Sequence, residues 1–320
     1  MNEFDIIEKY VKGPISSSVV LGAGDDCSVV DYSETHYLLT TSDCLVEKKH
    51  FIKEEISFQD LGYKSLAVNL SDISAMGGVA QWAQLTLAIP PSVEESQVSS
   101  FFNGFYELAE REGVSLVGGD ISSSETDIFI NITLMGLVEK TKIKKRSQFK
   151  EGELLCVTGN LGDSAAGLRC LQEKKEGALE DVLKERHFRP MSFHNQGQWL
   201  SQQKSVEGMM DLSDGLVSDL QRLDCGFEVE FSKVPLSQEF KEICHKYSWS
   251  PKELALSGGE DYALMFSCKE SSFDSLQKSY FKKFQESIFC IGKYLPKNKK
   301  SVFKDNGTLI TESLEAFKHF

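Results

Sequence analysis

The chain has 320 residues, of which 41% are hydrophobic and 26% are charged, and this balance excludes extensive disorder and collagen-like repeats. A net charge of −13 argues against nucleic acid as a partner. The longest charge-free stretch, residues 73–93, contains Gly-Gly and Pro-Pro pairs, and the first residues lack the layout of a secretory signal. We therefore expect a cytoplasmic protein with no membrane partner.

In the first half of the chain, periodic apolar residues predict strands that alternate with two amphipathic helices. The strands are expected over residues 37–43, 85–89, 114–117 and 128–138. One helix is expected over residues 60–76, and a second helix, opened by a capping box of Ser92 and Glu95, ends near Gly113. This order predicts a sheet that is covered by helices on one face.

A basic segment, residues 140–150, precedes a second alternating pattern and predicts a domain boundary. We expect an N-terminal domain over residues 1–139 and a C-terminal α/β sandwich over residues 140–320. In the second domain, strands are predicted over 154–158, 209–212, 227–231, 262–266 and 288–291, and helices over 164–172, 216–223 and 238–247. The predicted fold class is thus α/β (α+β), with two domains.

Acidic residues are concentrated in the predicted N-terminal domain, which carries 22 acidic and 7 basic side chains, whereas the remainder carries 26 and 28. A solvated acidic surface would explain this asymmetry, and so would bound metal ions. The eight cysteines show neither a CxxC pair nor a Cys/His pair at zinc-ligand spacing, so we expect buried free thiols.

The chain has no P-loop, protein-kinase, HExxH or GxSxG motif. Instead, aspartate recurs at predicted strand ends and in glycine turns. Each occurrence alone also fits an ordinary turn, a polar position on a helix or, for Asp214, a helix cap. Together, carboxylates beside Ser and Thr hydroxyls suit hard cations such as Mg²⁺, and the neighbouring glycines allow an anionic ligand to approach the backbone.

These aspartates lie within longer stretches, which are GAGDDCSVV (22–30), TTSDCLVEKKHF (40–51), YKSLAVNLSDISAMGG (63–78), LVGGD (116–120), Arg146, VTGNLGDSAAGL (157–168), MDLSDGLVSDL (210–220), LSGGEDYAL (256–264) and a terminal HF (319–320). In this order the stretches resemble the bacterial thiamine-monophosphate kinase family, whose superfamily includes aminoimidazole ribonucleotide synthetase and selenophosphate synthetase. The resemblance runs from about residue 20 to the C-terminus.

The resemblance implies transfer of the γ-phosphoryl group of ATP to thiamine monophosphate, with several Mg²⁺ ions. It also implies a homodimer in which the N-terminal sheets of two subunits join into a barrel. The implied metal ligands are Asp26, Thr41, Ser42, Asp43, Asp72, Asp120, Asp211 and Asp214. The implied ATP contacts are Gly119, Arg146 and Ser213, and the implied substrate contacts are His50, Glu260 and Phe317. The chain departs from the family pattern at Ile121 and Ala263.

No residue is expected to act as a general acid or base, because a phosphate acceptor has a second pKa of about 6 and is already ionised at neutral pH. Two alternatives remain open at this point. The chain could be another ATP-using enzyme of the superfamily, similar to aminoimidazole ribonucleotide synthetase. It could also be a non-catalytic nucleotide-binding regulator, although such a protein would have no reason to gather so many like charges.

Overall fold

The structure is a computed structural model that describes residues 6–11, 13 and 16–311 of the chain. Within these residues the chain forms two mixed β-sheets that are packed against helices, which confirms the predicted α/β class. A short π-helical turn (Ile7–Val11) precedes the first sheet.

The first sheet, within the described residues, is built from β1 (Val19–Leu21), β2 (Ser28–Asp31), β3 (His36–Val46), β4 (Val79–Ile89), β5 (Ser115–Ser123) and β6 (Phe129–Glu139). Its strand order is β1-β2-β3-β6-β4-β5, and every neighbouring pair is antiparallel except β4 and β5. Strand β5 therefore forms one edge of this sheet. It exposes Val117 and Ile121, with 53% and 65% of their surface accessible.

Two helices, α1 (Phe58–Ala75) and α2 (Glu95–Glu112), pack on one face of this sheet, as the sequence predicts. The two helices cross at a point where each of them requires a glycine. A Cβ on Gly62 would lie 1.9 Å from the carbonyl oxygen of Phe101, and a Cβ on Gly104 would lie 1.7 Å from that of Gln59. Any larger residue at either position would push the helices apart.

The second sheet, within the described residues, is built from β7 (Leu154–Val157), β8 (Val206–Asp211), β9 (Gly226–Glu230), β10 (Leu264–Cys268), β11 (Phe289–Leu295), β12 (Val302–Asp305) and β13 (Thr308–Leu309). Its order is β13-β12-β9-β11-β7-β10-β8, and β12 pairs with β9 in parallel. All residues of β7 and β10 are buried, because this sheet is covered on both faces.

The helices of the second half are α3 (Asp163–Gln172), α4 (Ala178–Phe188), α5 (His194–Ser201), α6 (Leu216–Gln221), α7 (Gln238–Tyr247), α8 (Pro251–Ser257) and α9 (Phe273–Phe284). Helix α1 lies between the two halves of the chain. One side of α1 packs on the first sheet, while Ser71 on its other side donates a hydrogen bond to Asp211 at 2.8 Å. Helix α1 therefore contributes to both cores and reaches the end of β8.

The structure confirms most predicted elements but moves several boundaries. Strand β4 begins at Val79, six residues before its predicted start. The predicted capping box of Ser92 and Glu95 is wrong, because Glu94 is the N-cap of α2 and forms the capping box with Gln97. Helices α4, α5, α8 and α9 and the short strands β1, β2, β12 and β13 were not predicted.

All eight cysteines are free thiols, as expected, although Cys44 is exposed and Cys225 and Cys290 are only partly buried. Among the described residues, no helix combines the length and apolar character that a membrane crossing requires.

Candidate active site

Three aspartates from distant parts of the chain meet beside α1 and form a cluster that we call the acidic cluster. Asp26 lies in the turn before β2, Asp72 lies near the end of α1, and Asp211 ends β8. One carboxylate oxygen from each residue lies within 4.8 Å of the other two. The structure thus brings together three of the predicted metal ligands.

The pKa values of the acidic cluster show that its charges are poorly compensated. Burial, more than any other cause, raises the pKa of Asp26 to about 6 and that of Asp211 to about 7. Burial likewise raises the pKa of Asp72, and the nearby charge of Asp43 raises it further. Without a cation, this cluster therefore retains protons at a pH where exposed carboxylates have lost them.

Hydroxyl and amide groups hold the acidic cluster in place. The Thr41 hydroxyl, on β3, donates a hydrogen bond to Asp72. The backbone N–H of Asp43 donates to the Asn69 side-chain oxygen at 3.0 Å, which ties β3 to α1. Thr41 and Asp43 therefore lie at the cluster, as predicted.

Arg146 provides positive charge at the acidic cluster. Its Nε donates to Asp26 Oδ1 at 3.1 Å, and its backbone N–H donates to Asp25 Oδ2 at 3.1 Å. The second oxygen of Asp26, Oδ2, is buried and has no hydrogen-bond partner among the described residues. An unpartnered buried carboxylate oxygen between two further carboxylates fits a site for a divalent cation.

Two loops of the second half pack against each other beside the acidic cluster. The backbone N–H of Glu260 donates to the Ser213 carbonyl oxygen at 2.7 Å. A Cβ on Gly215 would lie 2.7 Å from the Gly258 carbonyl oxygen, and a Cβ on Gly259 would lie 2.6 Å from that of Ser213. The glycines of the DLSDG and SGGED stretches are therefore needed where these loops meet.

Asp214 lies in the first of these loops but interacts with an arginine instead of the acidic cluster. Its carboxylate accepts a hydrogen bond from Arg222, and its backbone N–H donates to Asp219 Oδ2 at 3.2 Å. The alternative of a helix cap is not supported, since Gly215 is the N-cap of α6 and no side chain caps this helix. The fully buried Asp219 was not predicted as part of the site.

A second polar cluster surrounds Glu260. Lys64, which is fully buried on α1, donates to Glu260 Oε2 at 2.9 Å. Burial opposes ionisation, but the nearby charges, above all that of Lys64, keep the pKa of Glu260 below its usual value. His50, the other predicted substrate contact, also lies near enough for its charge to lower the pKa of Glu260.

Three predicted residues lie away from the acidic cluster. Ser42 is exposed on the opposite face of β3, where its hydroxyl lies 3.1 Å from that of Thr133. Gly119 and Asp120 lie on the edge strand β5, which β6 and β4 separate from β3. Three strand spacings amount to about 14 Å. The predicted contact Phe317 and the terminal HF lie outside the described residues.

Sequence reasoning also missed Lys64 and His187. Lys64 stands in the quoted YKSLAVNLSD stretch, where the nearby apolar residues Tyr63, Leu66 and Ala67 give the only signal that this lysine is buried. His187 lies in α4, which was not predicted, and nothing in its local sequence indicates its contact with Glu260.

Residues 24–138 match the family model described as AIR synthase related protein, N-terminal domain. The thiamine-monophosphate kinase of Haemophilus influenzae is 40% identical over 302 residues, which cover 92% of this chain and 89% of the relative. That of Escherichia coli K12 is 35% identical and covers 99% of this chain and 98% of the relative. The solved structure AaThiL complexed with AMPPCP and TMP has a TM-score of 0.84 and 33% identity, and the match covers 100% of this chain and 97% of the other.

Proposed function

The chain belongs to the thiamine-monophosphate kinase family, and we propose that it transfers the γ-phosphoryl group of ATP to the phosphate of thiamine monophosphate (TMP), giving thiamine diphosphate. The observation that carries this proposal is the acidic cluster of Asp26, Asp72 and Asp211, with Arg146 at its side. The relative AaThiL, which was solved with AMPPCP and TMP, supports the choice of both substrates.

Asp26, Asp72 and Asp211 would hold Mg²⁺, and Asp43 beside them would add a fourth carboxylate. Bound Mg²⁺ supplies positive charge that offsets the repulsion between two phosphorylated substrates. We extend the proposal to the remaining predicted ligands, which are Thr41, Ser42, Asp120 and Asp214. Because Ser42 lies on the opposite face of β3 from the acidic cluster, one ion could not bind all of these residues, and several ions would be needed.

Arg146 and Ser213 are proposed ATP contacts. The Arg146 guanidinium already binds a carboxylate oxygen of Asp26, so its planar fork lies where it could instead bind a phosphate oxygen. Transfer needs no protein base, since the acceptor oxygen is ionised at neutral pH. His187, which lies next to Glu260, is neutral because burial lowers its pKa to about 3.

The organic part of TMP is proposed to contact His50 and Glu260. Lys64, the partner of Glu260, and Asp72 of the acidic cluster are eight residues apart on α1. This spacing corresponds to about 12 Å along a helix. The acidic cluster and Glu260 could therefore bind the two ends of one extended substrate. The phosphate of TMP would lie at the acidic cluster, and its organic part would lie at Glu260.

We also propose a homodimer in which the first sheets of two subunits close into a barrel, and a division into domains 1–139 and 140–320. The exposed edge strand β5, with Val117 and Ile121, supports the dimer because an unpaired apolar edge favours association. The same edge strand carries Gly119 and Asp120. Within one subunit, these two residues lie away from the acidic cluster. The cytoplasmic location expected from the sequence stays a prediction.

The test is a coupled assay of ADP release with TMP, free thiamine and aminoimidazole precursors in parallel, with and without Mg²⁺. We expect ADP release only with TMP and Mg²⁺ together. Equal activity with free thiamine would show that the acceptor is a hydroxyl group and would overturn the proposal. Activity with an aminoimidazole precursor alone would move the chain to another branch of the superfamily.

A further inference from the structure

The environment of Lys64 is unusual for a lysine, because its side chain is completely buried at the junction of the two halves. Its Nζ lies 2.9 Å from Glu260 Oε2 and 3.5 Å from His187 Nε2. His187 belongs to α4, and its Nδ1 lies 3.2 Å from the same Glu260 oxygen and 2.9 Å from the Ser164 hydroxyl. Lysine, histidine and glutamate thus form a closed triangle between α1 and the second half of the chain.

The contacts assign a role to each nitrogen in the triangle. Burial and the charge of Lys64 keep the imidazole of His187 neutral, so this ring carries one proton. An ammonium group can only donate, so Nε2 of His187 accepts from Lys64. The ring proton is then on Nδ1, which is hydrogen-bonded to the Ser164 hydroxyl at 2.9 Å and lies 3.2 Å from Glu260 Oε2.

Both contacts fall on one oxygen of Glu260. Lys64 donates a hydrogen bond to Oε2, and Nδ1 of His187 lies 3.2 Å from the same oxygen; neither residue is hydrogen-bonded to Oε1. The Glu260 side chain is 25% exposed, whereas that of Lys64 is 1% exposed. The carboxylate is therefore anchored through Oε2, and part of the Glu260 side chain is accessible.

Stability alone does not explain this arrangement. Burying a lysine and a glutamate costs desolvation free energy, and apolar residues of similar volume are often as stable or more stable in such positions. Glu260 also adopts a left-handed backbone conformation, with φ of 64°, which is costly for a residue other than glycine. Strain of this kind is typical of positions where a side chain must be held in one orientation for a ligand.

We propose that Lys64 and His187 are positioning residues, which fix Glu260 through Oε2 so that Oε1 faces the organic part of the acceptor substrate. This inference rests on the proposed function. Thiamine carries a cationic thiazolium ring and an amino group on its pyrimidine ring, and both are complementary to a fixed carboxylate. The triangle therefore acts on the affinity for the acceptor and not on the binding of ATP.

The experiment measures KM for TMP and for Mg-ATP, together with Tm, in the wild type and in Lys64→Met, Glu260→Gln and the double variant. We expect Lys64→Met to raise KM for TMP at least tenfold and to leave KM for Mg-ATP within twofold. The double variant is expected to be no worse than Glu260→Gln, since Lys64 acts through Glu260. Equal changes in both KM values, or independent effects in the double variant, would overturn the proposal.

A matched pair of histidine variants keeps the test decisive if Lys64→Met does not fold. His194 is also buried between the two halves, where it accepts from the backbone N–H of Ala80 at 3.0 Å, but it does not contact Glu260. We expect His187→Leu and His194→Leu to lower Tm, and only His187→Leu to raise KM for TMP. His187→Asn, which restores a donor near Nδ1, should recover part of the affinity.

The outcomes separate this inference from the proposed function. If the wild type neither binds nor converts TMP, the proposed function itself is wrong. If the wild type converts TMP and His187→Leu and His194→Leu change KM for TMP equally, the triangle only supports the junction and the positioning role is wrong.

Discussion

Replacement of Asp72 by Asn should separate a metal site from an ordinary buried acid. The change keeps the shape of the side chain and removes one charge from the acidic cluster. Because the pKa of Asp72 is raised by burial and by Asp43, the folded protein without metal favours the protonated acid, which Asn resembles, more than an exposed aspartate would. We therefore expect the metal-free variant to be at least as stable as the wild type.

The size of the effect follows from the geometry of the cluster. At about 5 Å and an effective dielectric constant of about 20, two carboxylates repel each other by roughly 3 kcal/mol. The unfolded acid ionises above its ordinary pKa of about 4, so the stabilisation by Asn should be smaller at pH 5 than at pH 8. At pH 8 it should reach on the order of 1–3 kcal/mol, and each kcal/mol corresponds to about 2–4 °C in Tm.

Binding of Mg-ATP should change in the opposite direction. At a concentration 100 times Kd, a ligand stabilises the folded state by about 2.7 kcal/mol, and a 100-fold weaker site would lose most of this gain. Turnover of Asp72→Asn should fall by orders of magnitude, because alignment and charge stabilisation supply most of the catalysis of phosphoryl transfer.

The assay records Tm with and without Mg-ATP at pH 5 and pH 8, together with turnover. Asp181→Asn is the matched control, because it removes one charge from an exposed position on α4, where the side chain is 72% accessible. The control should leave turnover and the Mg-ATP shift unchanged. If Asp72→Asn also retains both, Asp72 has no part in the site.

Three further results are expected. In EDTA, Tm should fall as pH rises from about 4 to 7. The pKa values of Asp26 (about 6) and Asp211 (about 7) are raised in the folded state, which therefore binds more protons than the unfolded state over this range. Addition of Mg²⁺ should weaken this pH dependence of Tm, and a Tm that does not change with pH in EDTA would contradict the prediction. Arg146→Lys should raise KM for ATP about tenfold or more, because an ammonium cannot replace the two-pronged contact; an unchanged KM would exclude a nucleotide role. Light scattering should give a mass of twice the 35.8 kDa chain mass. The variant Val117→Lys on β5 should lower the measured mass toward that of the monomer. A monomeric wild type would exclude the dimer.

The elements that sequence reasoning found are those whose periodic pattern matches their burial. The predicted helix over 238–247 has the bounds of α7, because Phe240, Ile243 and Cys244 form one buried face and Ser237 caps it. Strand β12 is short and only partly buried, and strand β13 is short and exposed, so neither carries a clear alternation. Helix α9 was missed although Leu276 and Tyr280 are spaced for one buried face.

The site was predictable where the chemistry lies in short stretches and was missed where it depends on packing. Asp26, Asp72 and Asp211 belong to repeated glycine and aspartate patterns, and the structure brings them together. Lys64 has no such pattern, because a lysine in a helix is usually exposed and only its partners, Glu260 and His187, explain its burial. Those partners are more than 120 residues away in sequence.

Helix α1 links the two clusters in physical terms. It carries Asp72 at the acidic cluster and Lys64 at Glu260, and the first sheet packs on one side of it while the second half packs on the other. A helix that is buried on both sides cannot change its rise per residue, so the separation between the clusters is fixed at about 12 Å. Under the proposed function, one rigid element would thus set the distance between the phosphate end and the organic end of a bound acceptor, with Lys64 and Arg146 providing a positive charge at the two ends.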